Sequence, residues 1–153
     1  MKAEFFDNGS LVATVGLTGA TATFTASSLG VGSHSLTATY NGDANFLTAS
    51  APALSQTVSK AATSTSLTTN LNPATKVQTV TFTAAVTSSN ATGQIQFLKG
   101  TSVLATVNLT GGIATYSTSA LSAGSNSITA KYLGDTKFLT STSAVLVETI
   151  TIR

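Results

Sequence analysis

Leu29-Gly30-Val31-Gly32-Ser33-His34-Ser35-Leu36-Thr37-Ala38-Thr39-Tyr40-Asn41-Gly42-Asp43-Ala44-Asn45-Phe46 returns later in the chain as Leu121-Ser122-Ala123-Gly124-Ser125-Asn126-Ser127-Ile128-Thr129-Ala130-Lys131-Tyr132-Leu133-Gly134-Asp135-Thr136-Lys137-Phe138. The offset is 92 residues, and 25 of the 58 positions from Glu4 to Ala61 match their counterparts without a gap. Self-similarity at one fixed period marks a repeat architecture. In each copy a Leu or Ile, an Ala and a Tyr alternate with polar residues, the period of two that sends apolar side chains to one face of a strand. Gly32 and Gly124 stand before this strand and Gly42 and Gly134 after it, where a reversal of the chain favours positive φ. Asp43 and Asp135 are placed to accept hydrogen bonds from the turn, and Phe46 and Phe138 to fold back onto the sheet. The pattern Y-x-G-D-x-x-F therefore reads as a corner joining two strands.

Outward from this stretch, Ala3–Phe6 matches Ile95–Leu98, and each is followed by a turn and a second strand, Leu11–Val15 or Val103–Val107. A third strand is expected over Thr21–Thr25 and Ile113–Ser117, and a last one over Ala53–Val58 and Val145–Ile150. Gln56 and Glu148 share parity with the apolar residues of that last strand, which predicts a bulge or an exposed sheet edge there. Ahead of Ile95 the second copy carries two more strands, Thr63–Leu71 and Val77–Thr87, separated by an Asn72-Pro73 turn. In the latter, Val80, Phe82, Ala84 and Val86 alternate with Thr81, Thr83 and Ala85, the clearest half-buried strand in the chain. Seven strands with turn signals between them and no helical period predict an all-β Greek-key sandwich of immunoglobulin type.

The expected organisation is thus a partial module over residues 1–60 and a complete seven-stranded module over 61–153, the first lacking its first two strands. The missing positions correspond to Val80, Phe82 and Val86, and burying each such side chain contributes about 1.5–3 kcal/mol. The first module is expected to be marginal alone, with Phe24, Leu36 and Tyr40 facing an open side. Continuation of the array upstream would close that side, and so would self-association with a neighbouring chain. The linker Ser59-Lys60-Ala61-Ala62 holds neither Gly nor Pro, which predicts little swing between modules.

Composition narrows the function classes. Only 8% of residues are charged, but 42% are hydrophobic and spaced in alternation, so the chain is expected to fold. Its seven basic residues are scattered and outnumber the acids by two, which gives no footprint for nucleic acid. No apolar run reaches the about 18 residues of a membrane span, so no membrane insertion is expected. Any export signal would lie outside this chain. The chain has no cysteine and one histidine, which leaves no cysteine nucleophile or thiolate metal site and makes a catalytic triad hard to assemble.

The repeat supplies an internal check on candidate sites. His34 is Asn126 in the second copy, which points to a hydrogen-bonding role at the corner before the strand. Asn41, Asp43 and Asn45 alternate like a calcium loop, but the second copy has Leu133, Asp135 and Lys137, so capping of the turn is the expected role. No pair among Glu4, Asp7, Asp43, Asp135 and Glu148 is arranged for general acid and base work. No catalytic, cofactor-binding or metal residue is therefore assigned. Phe6 is the one aromatic whose counterpart, Leu98, is not aromatic and whose parity opposes that of Phe5, which makes it the candidate exposed contact. The three sequons at Asn8, Asn90 and Asn108 matter only in a host that glycosylates them.

The signature L-x-x-G-x-[HN]-x-[LI]-x-A-x-Y-x-G-D-x-x-F resembles that of bacterial Ig-like repeat domains, which occur in tandem in secreted and surface proteins. The resemblance covers essentially the whole chain. It implies a β-sandwich, neighbouring Ig-like modules as partners and an extracellular or cell-surface setting, with no shared catalytic residue. An intramolecular Lys-to-Asn crosslink, known from some surface Ig-like domains, is not expected, because Ala144–Ile152 offers neither Asn nor Asp. The functional expectation is a non-enzymatic spacer or stalk with adhesive contacts in reserve. Its rivals are a carbohydrate- or protein-binding module and an accessory domain of an extracellular hydrolase.

Overall fold

In the computed structural model, which describes residues 1–152, every regular element is a β-strand. The chain divides into two compact units, Met1–Ser59 and the residues from Lys60 onward. The alternation in the sequence accounts for both.

The first unit is a single sheet. It contains β1 (Lys2–Asp7), β2 (Ser10–Gly16), β3 (Gly32–Tyr40), β4 (Ala49–Ser50) and β5 (Leu54–Val58). The order is β2-β1-β3, with β4 and β5 pairing successive parts of β3. The third strand expected over Thr21–Thr25 does not form: Thr18 and Thr21 make an isolated bridge, and no ladder follows. A ladder needs a neighbour, and the strand that would lie beside this one has no equivalent within residues 1–59. Phe24 nevertheless lies over the sheet, its ring centroid 5.5 Å from that of Phe5.

The second unit is a closed sandwich. Its strands are β6 (Thr65–Thr69), β7 (Ala74–Thr75), β8 (Val80–Val86), β9 (Gln94–Lys99), β10 (Ser102–Asn108), β11 (Ile113–Thr118), β12 (Gly124–Tyr132), β13 (Ser141–Thr142) and β14 (Leu146–Thr151). One sheet runs β10-β9-β12-β14-β7 with β13 also on β12, and the other runs β11-β8-β6. Along β8 every second residue is buried, as the alternation requires, and Val80, Phe82, Ala84 and Val86 meet Ile95, Phe97, Ile128, Ala130 and Tyr132 in one core. Phe97 and Tyr116 repeat the Phe5–Phe24 arrangement, with centroids 5.7 Å apart and the same 34° between ring planes. The fold is all-β and immunoglobulin-like throughout: the second unit is the Greek-key sandwich, and the first, without the two strands that would precede β1, forms one sheet of it and leaves the Thr21–Thr25 stretch unladdered.

The expectation of a bulge or an open edge at Glu148 does not hold. β14 pairs β12 in continuous register from Leu146 to Ile150, and its other side is covered. There Asn72 donates through Nδ2 to the Val147 carbonyl at 2.7 Å and accepts from the Thr149 N–H at 3.1 Å, and β7 continues the contact in parallel. Glu148 therefore faces inward and is fully buried, with no hydrogen-bond partner for either carboxylate oxygen. In the first unit β5 has no such cover, and Gln56 is exposed.

Candidate functional site

Both copies of the corner are built by the same local chemistry. Gly42 and Gly134 follow the long strand at φ of +75° and +78°. A Cβ at Gly42 would lie 2.8 Å from the Phe46 carbonyl oxygen, and one at Gly134 would lie 2.9 Å from that of Phe138, so the turn closes only on glycine. The next residue is an aspartate whose Oδ1 accepts two turn N–H groups. Asp43 takes Asn45 at 2.7 Å and Phe46 at 2.9 Å; Asp135 takes Lys137 at 2.7 Å and Phe138 at 2.8 Å. These are Asx-type caps, and in the first corner they occupy Asp43 Oδ1, one of the oxygens that a calcium reading of Asn41, Asp43 and Asn45 would need. Gly32 and Gly124 open β3 and β12 at the other end.

Ahead of those strands the two copies solve one problem with different side chains. His34 reaches the Gly30 carbonyl through Nε2 at 2.8 Å and Asp7 Oδ2 through Nδ1 at 2.7 Å. Asn126 donates through Nδ2 to the carbonyl of Ser122, the residue aligned with Gly30, at 2.9 Å, and to that of Gly124 at 3.1 Å. The Gly30 carbonyl and then Asp7 raise the His34 pKa. The histidine is a loop brace, in keeping with the role expected from its Asn counterpart.

The corners differ in what surrounds them. Tyr132 is buried and donates its hydroxyl to the Thr92 carbonyl at 2.8 Å, while Asp135 Oδ2 accepts from the Thr92 N–H at 2.9 Å and hydroxyl at 2.8 Å. Burial, reinforced by the Asp135 charge, pushes the Tyr132 hydroxyl up to about 12. The Thr92 N–H, with further help from Lys137, the Thr92 hydroxyl and Phe138, holds Asp135 well below the usual carboxylate range against the opposing effect of burial. In the first unit Tyr40 donates to Asp43 itself at 3.0 Å and is only half-buried.

Phe138 packs on the core, and the chain before β6 clips it in place: Ala61 bridges Phe138, its N–H donating to Lys137 and its carbonyl accepting from Leu139. Phe46, expected to fold back in the same way, is 67% exposed, and Leu47 beside it is 91% exposed. Among the described residues of Met1–Ser59, no segment clips the first corner and no second sheet covers it. Phe6 is half-buried in β1, with Leu11 and Thr37 as its partners in the flanking strands.

Sequence reasoning missed Thr92 and Asn72. Neither has a counterpart in residues 1–61, so the comparison of copies had nothing to say about them. Among the described residues, no three His, Cys, Asp or Glu side chains lie close enough to share a metal ion. The carboxylates of the corners accept from backbone and hydroxyl hydrogens and so fasten the fold.

A family model described as "Bacterial Ig-like domain (group 3)" matches residues 2–59 and again residues 63–151. The chain belongs to this bacterial Ig-like family. Both Ig-like units carry the corner, and only the second carries strands equivalent to β6 and β8. Ig-like modules of bacteria are commonly parts of extracellular proteins and are typically non-catalytic. Among solved structures, one titled "Structures of Clostridium thermocellum CbhA fibronectin(III)-like modules" is similar at 17% identity, covering 99% of this chain and 77% of that chain with a TM-score of 0.42. No curated protein matches the sequence.

Proposed function

We propose that this chain is a non-catalytic spacer segment of a bacterial secreted or cell-surface protein, holding another region at a distance from a surface. Tandem membership of a bacterial Ig-like family carries this reading. The corner supports it, because the Tyr and Asp repeated in both copies spend their polar groups on closing the turn or bracing a strand. The joint between units is short as well: β5 ends at Val58, and Ala61 is already bridged to Phe138, with Lys60 Nζ donating to the Asp135 carbonyl at 2.6 Å. Only Ser59 and Lys60 separate the two, which gives a run of such modules reach without long slack. Its partners on this reading are neighbouring Ig-like modules of the same protein.

The test is replacement in the host protein. Deleting the segment should impair whatever the attached region does at the surface, and an unrelated Ig-like pair of equal length should restore it. Restoration by this sequence alone, lost again on Phe6→Ala, would overturn the spacer reading in favour of a binding module.

A further inference from the structure

The chain holds two Asn-Gly dipeptides, Asn8-Gly9 and Asn41-Gly42, and the other copy has Gly100-Thr101 and Leu133-Gly134 in their places. In such a pair a backbone nitrogen meets a side-chain amide with least hindrance, because glycine sets no Cβ beside it. The fold treats the two pairs differently. Asn8 at φ +48° and Gly9 at φ +83° form the turn between β1 and β2, closed by the pairing of Asp7 with Ser10. The Asn8 N–H donates to the Ser35 carbonyl at 2.9 Å and its Oδ1 accepts from the Ser35 N–H at 3.0 Å, so its amide is held. Asn41 is exposed, and among the described residues neither its side-chain amide nor the Gly42 N–H has a hydrogen-bond partner. Both properties belong to the corner itself: in the closed sandwich Leu133 is exposed too, and among the described residues the Gly134 N–H is likewise unpaired.

We propose that Asn41 is a self-modification site, an asparagine that converts to aspartate and isoaspartate and in doing so loosens the first corner. The Gly42 nitrogen gives its proton to solvent and attacks Asn41 Cγ; ammonia leaves and a succinimide ring closes. Water then opens the ring at either carbonyl, giving aspartate or isoaspartate, and no oxidant, reductant or enzyme enters the balance. Isoaspartate routes the main chain through the former side chain and lengthens it by a methylene. The corner has no slack for this. Gly42 stands at φ +75°, its Cβ position 2.8 Å from the Phe46 carbonyl oxygen and 3.2 Å from the Leu47 carbonyl carbon and the Thr48 nitrogen. Asp43, next along, caps Asn45 and Phe46 and takes the Tyr40 hydroxyl at 3.0 Å. The added methylene and the added charge fall between these fastenings and the β3–β4 pairing of Thr39 with Ser50 and Tyr40 with Ala49.

The full chain is aged at mildly alkaline pH and mapped by peptide mass spectrometry, with isoaspartate located by methyltransferase labelling. Modification should concentrate at Asn41, and Asn8 should lag by about fivefold or more, the factor that one net hydrogen bond contributes. Asn41→Leu, the residue of the second copy, should abolish labelling in that peptide. Amide exchange over Tyr40–Ser50 should quicken in the aged parent chain and keep its starting rate in aged Asn41→Leu. Fresh Asn41→Asp, which carries the charge without the extra methylene, should quicken it less. Labelling at Asn8 as fast as at Asn41 would overturn the inference, since the dipeptide alone would then set the rate. So would an Asn41 that stays intact in the folded chain, or an isoaspartate there that leaves exchange over Tyr40–Ser50 unchanged.

Discussion

Tyr132 and Thr92 are joined at 2.8 Å from phenol to carbonyl, and the same threonine gives its N–H and hydroxyl to Asp135. One loop residue thereby locks both signature residues of the second corner. Tyr132→Phe removes one neutral hydrogen bond at a buried ring and leaves the Thr92 carbonyl without that partner. The second unit should lose about 0.5–1.5 kcal/mol in denaturant unfolding, the usual net value of such a bond. Tyr40→Phe, whose partner is the exposed Asp43, should cost its unit less.

Glu148 is buried, and burial raises its carboxyl above the ordinary range. The folded state then holds this proton at pH values where the unfolded chain has released it. Stability of the second unit should fall as pH rises from the ordinary carboxyl value through the raised one, and stay lower above it. Glu148→Gln should abolish that fall. Near neutral pH the variant should be the more stable of the two, because it carries no proton to hold, and near pH 4 the difference should close. Urea titrations at the two pH values check it.

His34 has the opposite chemistry and the same slope. Its pKa is raised by the Gly30 carbonyl and by Asp7, so the stability it gives the first unit is fully present below the ordinary histidine value and is lost as pH rises through the raised one. His34→Asn, the residue found in the second copy, keeps a donor for the Gly30 carbonyl but removes the titration. Thermal melts of the first unit should depend on pH across this window in the parent and not in the variant, and an NMR titration of the ring should show the elevated midpoint.

Gly134 tests the turn. At φ +78° an added Cβ would meet the Phe138 carbonyl at 2.9 Å, so Gly134→Ala should cost about 1–3 kcal/mol in calorimetry of the second unit. Gly100 has φ +57° and nothing within 4 Å of its Cβ position, and Gly100→Ala should cost less. The difference between the two isolates the clash from the backbone conformation.

Much of this was legible because the chain states its fold twice. Alternation at Val80–Val86 and Ile128–Tyr132 marked the strands and the face each one buries, and the doubled G-D-x-x-F marked the turn and its cap. What escaped was relational. Thr21–Thr25 has the composition of its strand-forming counterpart Ile113–Ser117, yet a ladder depends on a neighbour that composition cannot supply. Phe46 and Phe138 are the same residue in the same local pattern, and only the Ala61 clip and the covering sheet separate an exposed ring from a packed one. Glu148 sat on the inward parity, and its charge argued for an edge. Asn72 reaches β14 from a turn 75 residues away in sequence, a contact no periodicity announces.

That contact, with β7 beside it, gives the second unit a particular response to tension. β7 belongs to the early part of the unit and β14 closes it, and they run parallel. Drawing the polypeptide out by its two ends slides these strands lengthwise past one another, so the Asn72 bonds and the β7 ladder share the load and yield together. A pull across an antiparallel edge would open its bonds singly, like a zip. In a spacer of the kind proposed above, the first arrangement resists tension where the second would run.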